Sequence, residues 1–172
     1  MRSESMHEPQ PIEIYLNDHL AGATGACEVT RNAVEKFATT SHRNFLTEFL
    51  PQVEEDKATL EEMIRTVGGT PNPMKQASAW IMEKVSRIKL SPGGLGSEEM
   101  SALLTIETLC IGVEGKICLW TAMKAVAADI PELKTIDFDA LLAQAQKQRQ
   151  GLEKERLDAA RAALPATVGA GR

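Results

Sequence analysis

Residues 97–128 read SEEMSALLTIETLCIGVEGKICLWTAMKAVAA, and this stretch decides the fold class. Apolar residues lie on nearly every side of the helix that this composition predicts, so we expect the helix to be central and buried. At about 100° per residue, Glu107, Cys110 and Glu114 fall on its inward stripe. Because an unpaired charge is very costly to bury, both carboxylates are expected to be paired, protonated or bound to a cation.

Helical periodicity extends over four further segments, and the sequence shows no convincing strand. The predicted helices are residues 11–38, 41–67, 74–90 and 138–164. Pro51 is expected to kink the second helix or to split off a short piece. The last helix has a thin apolar seam diluted by polar residues such as Gln148, which suits docking on the outside of a bundle or on a second copy. The pattern predicts an all-α fold.

Composition places the chain among single-domain globular proteins. It has 172 residues, 43% hydrophobic and 25% charged, which predicts one domain over residues 11–164 between polar tails at 1–10 and 165–172. A net charge of −5 and 4% aromatic residues argue against a nucleic acid or an anionic membrane as the partner. No apolar run is long enough to span a bilayer and no secretory signal is present, so a cytoplasmic location is expected.

Two lysines fall on the inward stripes of other predicted helices. Lys57 lies on the stripe of the second helix, with Asp56 at its edge, and Lys84 lies on that of the third. Charge balance predicts that these ammonium groups neutralise Glu107 and Glu114, so Lys57→Met is expected to cost about 3 kcal/mol of stability. The alternative is that one or both lysines extend past the rim of the bundle into solvent.

An antiparallel four-helix bundle with inward carboxylates resembles the ferritin-like superfamily, here over residues 11–128, with 138–164 as an additional C-terminal helix. The resemblance implies a Glu from each of two helices and a Glu-x-x-His motif from each of the other two as ligands of a di-metal centre. The first motif position reads Glu54-Glu-Asp-Lys57 and the second ends in Cys110, so both histidines are missing.

The departures from the ferritin-like pattern replace metal ligands with cations. Lys84 lies where a metal-bridging Glu would be wanted, and ammonium groups repel divalent ions. The resemblance therefore implies a degenerate site in which Lys–Glu pairs replace the metal and no cofactor is bound. The interior polar cluster is predicted as Lys57, Lys84, Glu107, Cys110 and Glu114. The alternative is a variant iron or manganese site on Glu54, Glu107, Glu114 and His19.

The sequence leaves three functions open. The first is a non-enzymatic protein that acts by self-association, as a homodimer, or by binding a protein partner through helix 138–164. The second is a metal-dependent oxidase or metal-storage protein, and the third is a small-molecule binder with an interior charged pocket. No phosphate-binding loop is present and histidines are too few for a Ser-His-Asp triad, so no catalytic residue is assigned.

Overall fold

Four long helices contain most of the residues that the structure, a computed structural model, describes, namely 10–37, 41–72 and 98–164. They are α1 (Pro11–Lys36), α2 (Ser41–Thr66), α3 (Glu98–Val126) and α4 (Phe138–Ala163), with a short 3-10 helix at Pro131–Leu133. The predicted all-α class is confirmed, since these ranges contain helices and turns but no strand. The predicted helix at 74–90 and most of both predicted tails lie outside the described residues.

Local sequence explains where the helices begin and end. Pro11 begins α1 at a position where its missing N–H costs no hydrogen bond. α2 ends before Gly68, whose φ of +79° is the left-handed conformation that glycine adopts without a steric penalty. The Asp137 side chain caps α4 by accepting a hydrogen bond from the Ala140 N–H at 2.9 Å. α2 runs through Pro51 as a single helix, so the predicted split does not occur.

α1 and α2 form one antiparallel pair, and α3 and α4 form another. Glu13, near the start of α1, accepts a hydrogen bond at 3.1 Å from the Thr70 N–H, just after α2. Lys124, near the end of α3, pairs at 2.5 Å with Asp139, at the start of α4. Each pair is therefore a helical hairpin.

The two hairpins pack so that α2 and α3 are diagonal to one another and run in the same direction. Lys36, at the end of α1, donates a hydrogen bond at 2.7 Å to Ser101, near the start of α3. His42, at the start of α2, lies 2.7 Å from Glu155 of α4. α1 and α4 are thus each antiparallel to α2 and α3.

The core consists of two apolar clusters that follow one another along the bundle axis. One includes Phe37, Leu46, Ile106 and Leu152, and the other includes Leu16, Ile64, Trp120 and Leu133. All four helices contribute to both clusters. α4 was expected to be an addition outside the bundle, but its seam residues are buried against the other described helices.

Candidate functional site

A layer of three polar side chains, two of them buried and the third largely buried, lies between the two apolar clusters. Asp56 comes from α2, Lys116 from α3 and Gln148 from α4. The Lys116 Nζ donates hydrogen bonds to Asp56 Oδ2 and to Gln148 Oε1. The Gln148 Nε2 donates to the same Asp56 oxygen at 3.0 Å. Since α2 and α3 are diagonal, the Lys116 side chain crosses the middle of the bundle to reach Asp56.

Burial determines the electrostatics of this polar layer. The side chains of Asp56 and Lys116 are 8% and 13% exposed, so water screens their attraction much less than it would at the surface. Burial lowers the pKa of Lys116, because the ammonium group loses its hydration, and the adjacent Asp56 carboxylate opposes this shift. The layer contains one positive and one negative charge, and the Gln148 amide binds both of them.

A cavity of about 330 Å³ adjoins this layer between α1, α2 and α3. Small residues line it on two sides: Gly22, Ala23, Gly25 and Ala26 on α1, and Gly112 and Gly115 on α3. A Cβ atom built on Gly112 or on Gly115 would meet no atom of the described residues within 4 Å. Gly112 is exposed and Gly115 is half-buried, so the cavity is open to solvent along α3.

The rest of the cavity wall is largely apolar and carries few polar groups. Its apolar residues include Val29, Phe49, Val53, Leu60 and Leu109. Trp120 also lines the cavity, and its buried Nε1 has no hydrogen-bond acceptor in the described part of the chain. His19 lies on the wall beside Asp18; burial lowers the pKa of His19, and the Asp18 carboxylate opposes this shift. This composition is the usual one for a small-molecule site.

The two glutamates that were predicted to lie in the interior instead face α4 near the surface. Glu114 is 57% exposed and accepts a hydrogen bond from Arg149 at 2.8 Å. Glu107 is 42% exposed and lies 3.6 Å from Arg156. Hydrogen bonds from Arg156 and then Arg149 also hold the pKa of Glu153 at about 2. The predicted interior position is therefore wrong for both glutamates, because α4 supplies arginines along that side of α3.

The other residues of the predicted cluster are also separated from one another. Lys57 pairs with Glu61, one turn further along α2, so the predicted pairing of Lys57 with α3 is wrong. Cys110 is buried in the core, and burial raises the pKa of its thiol. Lys84 lies outside the described residues.

The described residues do not assemble the alternative metal site. Glu54 pairs with Arg31 at 2.6 Å. His19 makes an edge-on contact with the ring of Tyr15. No three His, Cys, Asp or Glu side chains within 10–37, 41–72 and 98–164 are placed to share an ion. At the bundle centre an ammonium group binds the Asp56 carboxylate, so the residues there do not fit a di-metal centre.

Sequence reasoning located the polar layer only in part. The periodicity placed Gln148 in the seam of the last helix and Asp56 at the edge of a stripe, but it did not associate them with Lys116. The stretch from Ile111 to Trp120 carries two charges, Glu114 and Lys116, and neither has an opposite charge one turn away on its own helix, so the sequence gives no signal that separates the inward Lys116 from the exposed Glu114.

No protein-family model matches the sequence, and no curated protein or solved structure matches it either. None of the helices in the described ranges combines the length and the apolar character that crossing a bilayer requires.

Proposed function

We propose that the protein binds a small, largely apolar molecule in the cavity between α1, α2 and α3. The observation that carries the proposal is a cavity of about 330 Å³ with mainly apolar walls and a buried Asp56–Lys116 pair on one side. Small-molecule sites typically have volumes of about 300–1,000 Å³ and a small number of polar groups that orient the ligand. In this proposal the protein acts by binding, not by catalysis.

The glycines of α3 leave the cavity wall along that helix without side chains: Gly112 is exposed and Gly115 is half-buried. Gly112 and Gly115 each cost the helix about 1 kcal/mol relative to alanine. No described side chain packs where their Cβ atoms would be, so contacts within the described residues do not offset this cost. A ligand that lies directly against the α3 backbone would offset it on binding.

We also propose a ferritin-like connectivity, with α1 to α4 as the four bundle helices instead of the set first expected. The parallel course of the diagonal helices α2 and α3 supports this proposal, since a ferritin-like bundle also contains consecutive helices that run in the same direction. The ammonium group of Lys116 lies in the bundle core, the region where such bundles place their metal ligands. This position supports the proposal that a lysine ammonium group takes the place of a metal ion. The lysine is Lys116, whereas Lys57 and Lys84 were predicted.

A second candidate function is self-association through exposed apolar side chains. Ile111 on α3 and Ile14 on α1 are 47% and 45% exposed, and contact with a second copy would remove this apolar surface from water. The seam of α4 was expected to make this contact, but its Leu152 is fully buried within the chain. A homodimer or a protein partner would cover exposed apolar side chains, which include Ile14 on α1, Ile111 on α3 and Leu157 on α4.

A binding experiment with a blocking variant tests the first proposal. N-phenyl-1-naphthylamine is a neutral, apolar probe whose fluorescence rises on transfer from water to an apolar site. We expect saturable binding to the wild type at one site per chain, and loss of binding in Gly112→Leu, whose side chain would obstruct the open side of the cavity. Ala125→Leu adds a similar side chain at an exposed position of α3 outside the cavity and is the matched control.

The outcomes separate the two candidate functions. Equal binding of the probe by Gly112→Leu and by the wild type would show that the cavity is not the site. Light scattering of the wild type measures the oligomeric state at the same time. A dimer that Ile111→Glu converts into a monomer, with no probe binding to either form, would favour self-association.

A further inference from the structure

We infer that the ligand carries a protonated amine on its apolar body, and that Asp18 of α1, with His19 beside it, binds this amine at the solvent-exposed edge of the cavity. The inference rests on the proposed binding function and names the class of ligand. It follows from the charges on the cavity wall, from the hydrogen-bond acceptors that lack a donor there, and from the hydration of the wall at Asp18.

The described residues of the cavity wall carry one negative charge that no positive charge balances. Besides His19, the titratable side chains among them are those of Asp18, Asp56 and Lys116. Asp56 and Lys116 form the ion pair of the polar layer. Asp18 forms no ion pair with another residue of 10–37, 41–72 and 98–164. The wall therefore favours a cationic group over an anionic one, since an anion would be repelled by the Asp18 carboxylate.

Two hydrogen-bond acceptors at this position have no donor within the described structure. One is the Asp18 carboxylate, and the other is a ring nitrogen of His19, whose ring makes an edge-on contact with Tyr15 but no hydrogen bond to a described residue. Burial lowers the pKa of His19 from 6.5, and the Asp18 carboxylate opposes this shift. Above pH 6.5 the imidazole is therefore mainly neutral, and one of its nitrogens accepts a hydrogen bond.

A protonated primary amine matches these two acceptors. It has three N–H donors and one positive charge. The Asp18 carboxylate is close enough to the imidazole to influence its pKa, and both side chains line the cavity. One amine placed between them can donate to both. A carbonyl or a carboxylate in the same place would bring further acceptors and no donor.

Hydration of the wall at this position permits a charged group to bind. Asp18 is exposed and His19 is half-buried, so an amine beside them keeps part of its contact with water. An ammonium group here avoids most of the desolvation that a charge in the bundle core would suffer. The same exposure means that water screens its attraction to Asp18, so the expected gain in affinity is that of a surface ion pair.

One face of α1 connects this charged position with the apolar part of the cavity. Gly22, Gly25 and Val29 follow Asp18 at steps of four, three and four residues, the spacing of residues on the same face of a helix. All of them line the cavity. Val29 is buried there with Phe49 of α2. A ligand with its amine at Asp18 can therefore place its apolar body along the two glycines and against the apolar wall.

Three naphthalenes that differ in one substituent test this inference. At about pH 7.5, 1-naphthylmethylamine is a cation, 1-naphthylmethanol is neutral and 1-naphthoate is an anion. Their affinities are measured by displacement of N-phenyl-1-naphthylamine. We expect the amine to bind about threefold more tightly than the alcohol, as a surface ion pair would allow, and the carboxylate to bind more weakly than the alcohol.

The Asp18→Asn variant removes the charge and keeps the shape of the side chain. We expect the preference for the amine over the alcohol to disappear in this variant, while the affinity for the alcohol changes much less and reports an intact cavity. Glu35→Gln makes the same change of charge at an exposed position of α1 outside the cavity and is the matched control. Glu35 lies about 25 Å from Asp18 along the helix, beyond the screening length of about 10 Å at 0.1 M ionic strength.

Ionic strength provides a second measurement that needs no variant. The preference of the wild type for the amine over the alcohol is compared at about 0.01 M and about 1 M salt, where the screening length is about 30 Å and about 3 Å. We expect the preference to be lost at the higher concentration. The ratio of the two affinities is used because salt acts similarly on the naphthalene body of both compounds.

The possible failures are distinguishable. If the probe binds but the amine and the alcohol bind equally at low salt, or the carboxylate binds more tightly than the alcohol, the inferred amine is wrong and the proposed function stands. A preference for the amine that survives in Asp18→Asn, or that Glu35→Gln also removes, would show that Asp18 does not bind it. If neither the probe nor any of the three compounds binds, the proposed function itself fails, and this inference fails with it.

Discussion

Replacing Lys116 by methionine tests whether the buried polar layer has the energetic role that its geometry indicates. Methionine has a similar length and is apolar, so the change removes the charge and the donors with little change in volume. Asp56 would keep the hydrogen bond from Gln148 Nε2 at 3.0 Å, but it would lose its only counter-ion in the described structure.

The structure sets the expected size of the effect. With only 8% of its side chain exposed, Asp56 cannot recover the lost interaction from water. Removing one partner of a buried ion pair typically costs about 3–5 kcal/mol, and the remaining Gln148 bond places the expected loss near 3 kcal/mol. The corresponding change at Lys57 removes a pair with Glu61 that is partly exposed and spaced one helical turn apart, so we now expect it to cost about 0.5 kcal/mol. The sequence alone had indicated the large effect at Lys57.

Urea unfolding followed by far-ultraviolet circular dichroism measures these differences as changes in the free energy of unfolding. Lys116→Met is compared with Lys57→Met, and a double variant adds Asp56→Asn to remove the stranded charge. We expect the double variant to be more stable than Lys116→Met alone. A loss below about 1 kcal/mol for Lys116→Met, or no rescue by Asp56→Asn, would refute the assigned role.

Three further predictions concern the cavity and the helix packing. Gly112→Ala should stabilise the protein by about 1 kcal/mol, because alanine favours the helix and its Cβ meets no described atom. Gly151→Ala should show no such gain, because its Cβ would lie 2.9 Å from a phenylalanine ring. Equal changes in the free energy of urea unfolding for the two variants would contradict this. Because the pKa of His19 is lowered in the folded protein, the unfolded chain binds more protons than the folded chain between that pKa and 6.5. The stability of the wild type should therefore fall relative to that of His19→Gln as the pH is lowered through this window. Parallel stability profiles of the two proteins from about pH 7.5 to 5 would rule this out. Leu152→Ala should lower the free energy of unfolding by about 2–5 kcal/mol, because Leu152 is fully buried, whereas Leu157→Ala at an exposed position should lower it by less than about 0.5 kcal/mol. Similar losses for the two variants would show that α4 does not contribute to the core.

The position of each described helix could be predicted from the sequence to within about two residues. The predicted helix at 11–38 is observed as Pro11–Lys36, and the predicted helix at 138–164 as Phe138–Ala163. Helix ends depend on nearby residues such as the proline that begins α1 and the Asp137 cap of α4, and these act over one turn of the chain. Such local signals are fully contained in the sequence.

The candidate site could be predicted in kind but not by residue. An interior ammonium–carboxylate pair was expected, and one is present, but it consists of Lys116 and Asp56. A helical wheel gives the direction of a side chain relative to the axis of its own helix. It does not show which helix lies in that direction, and for Glu114 that helix is α4 with Arg149.

The sequence by itself determined the all-helical class and the limits of the described helices, because hydrophobic periodicity and capping depend on residues close together in the chain. Only the tertiary structure decided that α4 belongs to the bundle, that α2 and α3 are diagonal, and that Lys116 reaches Asp56 across the centre. These features depend on how the hairpins pack against each other, and that packing is a property of surfaces from residues far apart in the sequence.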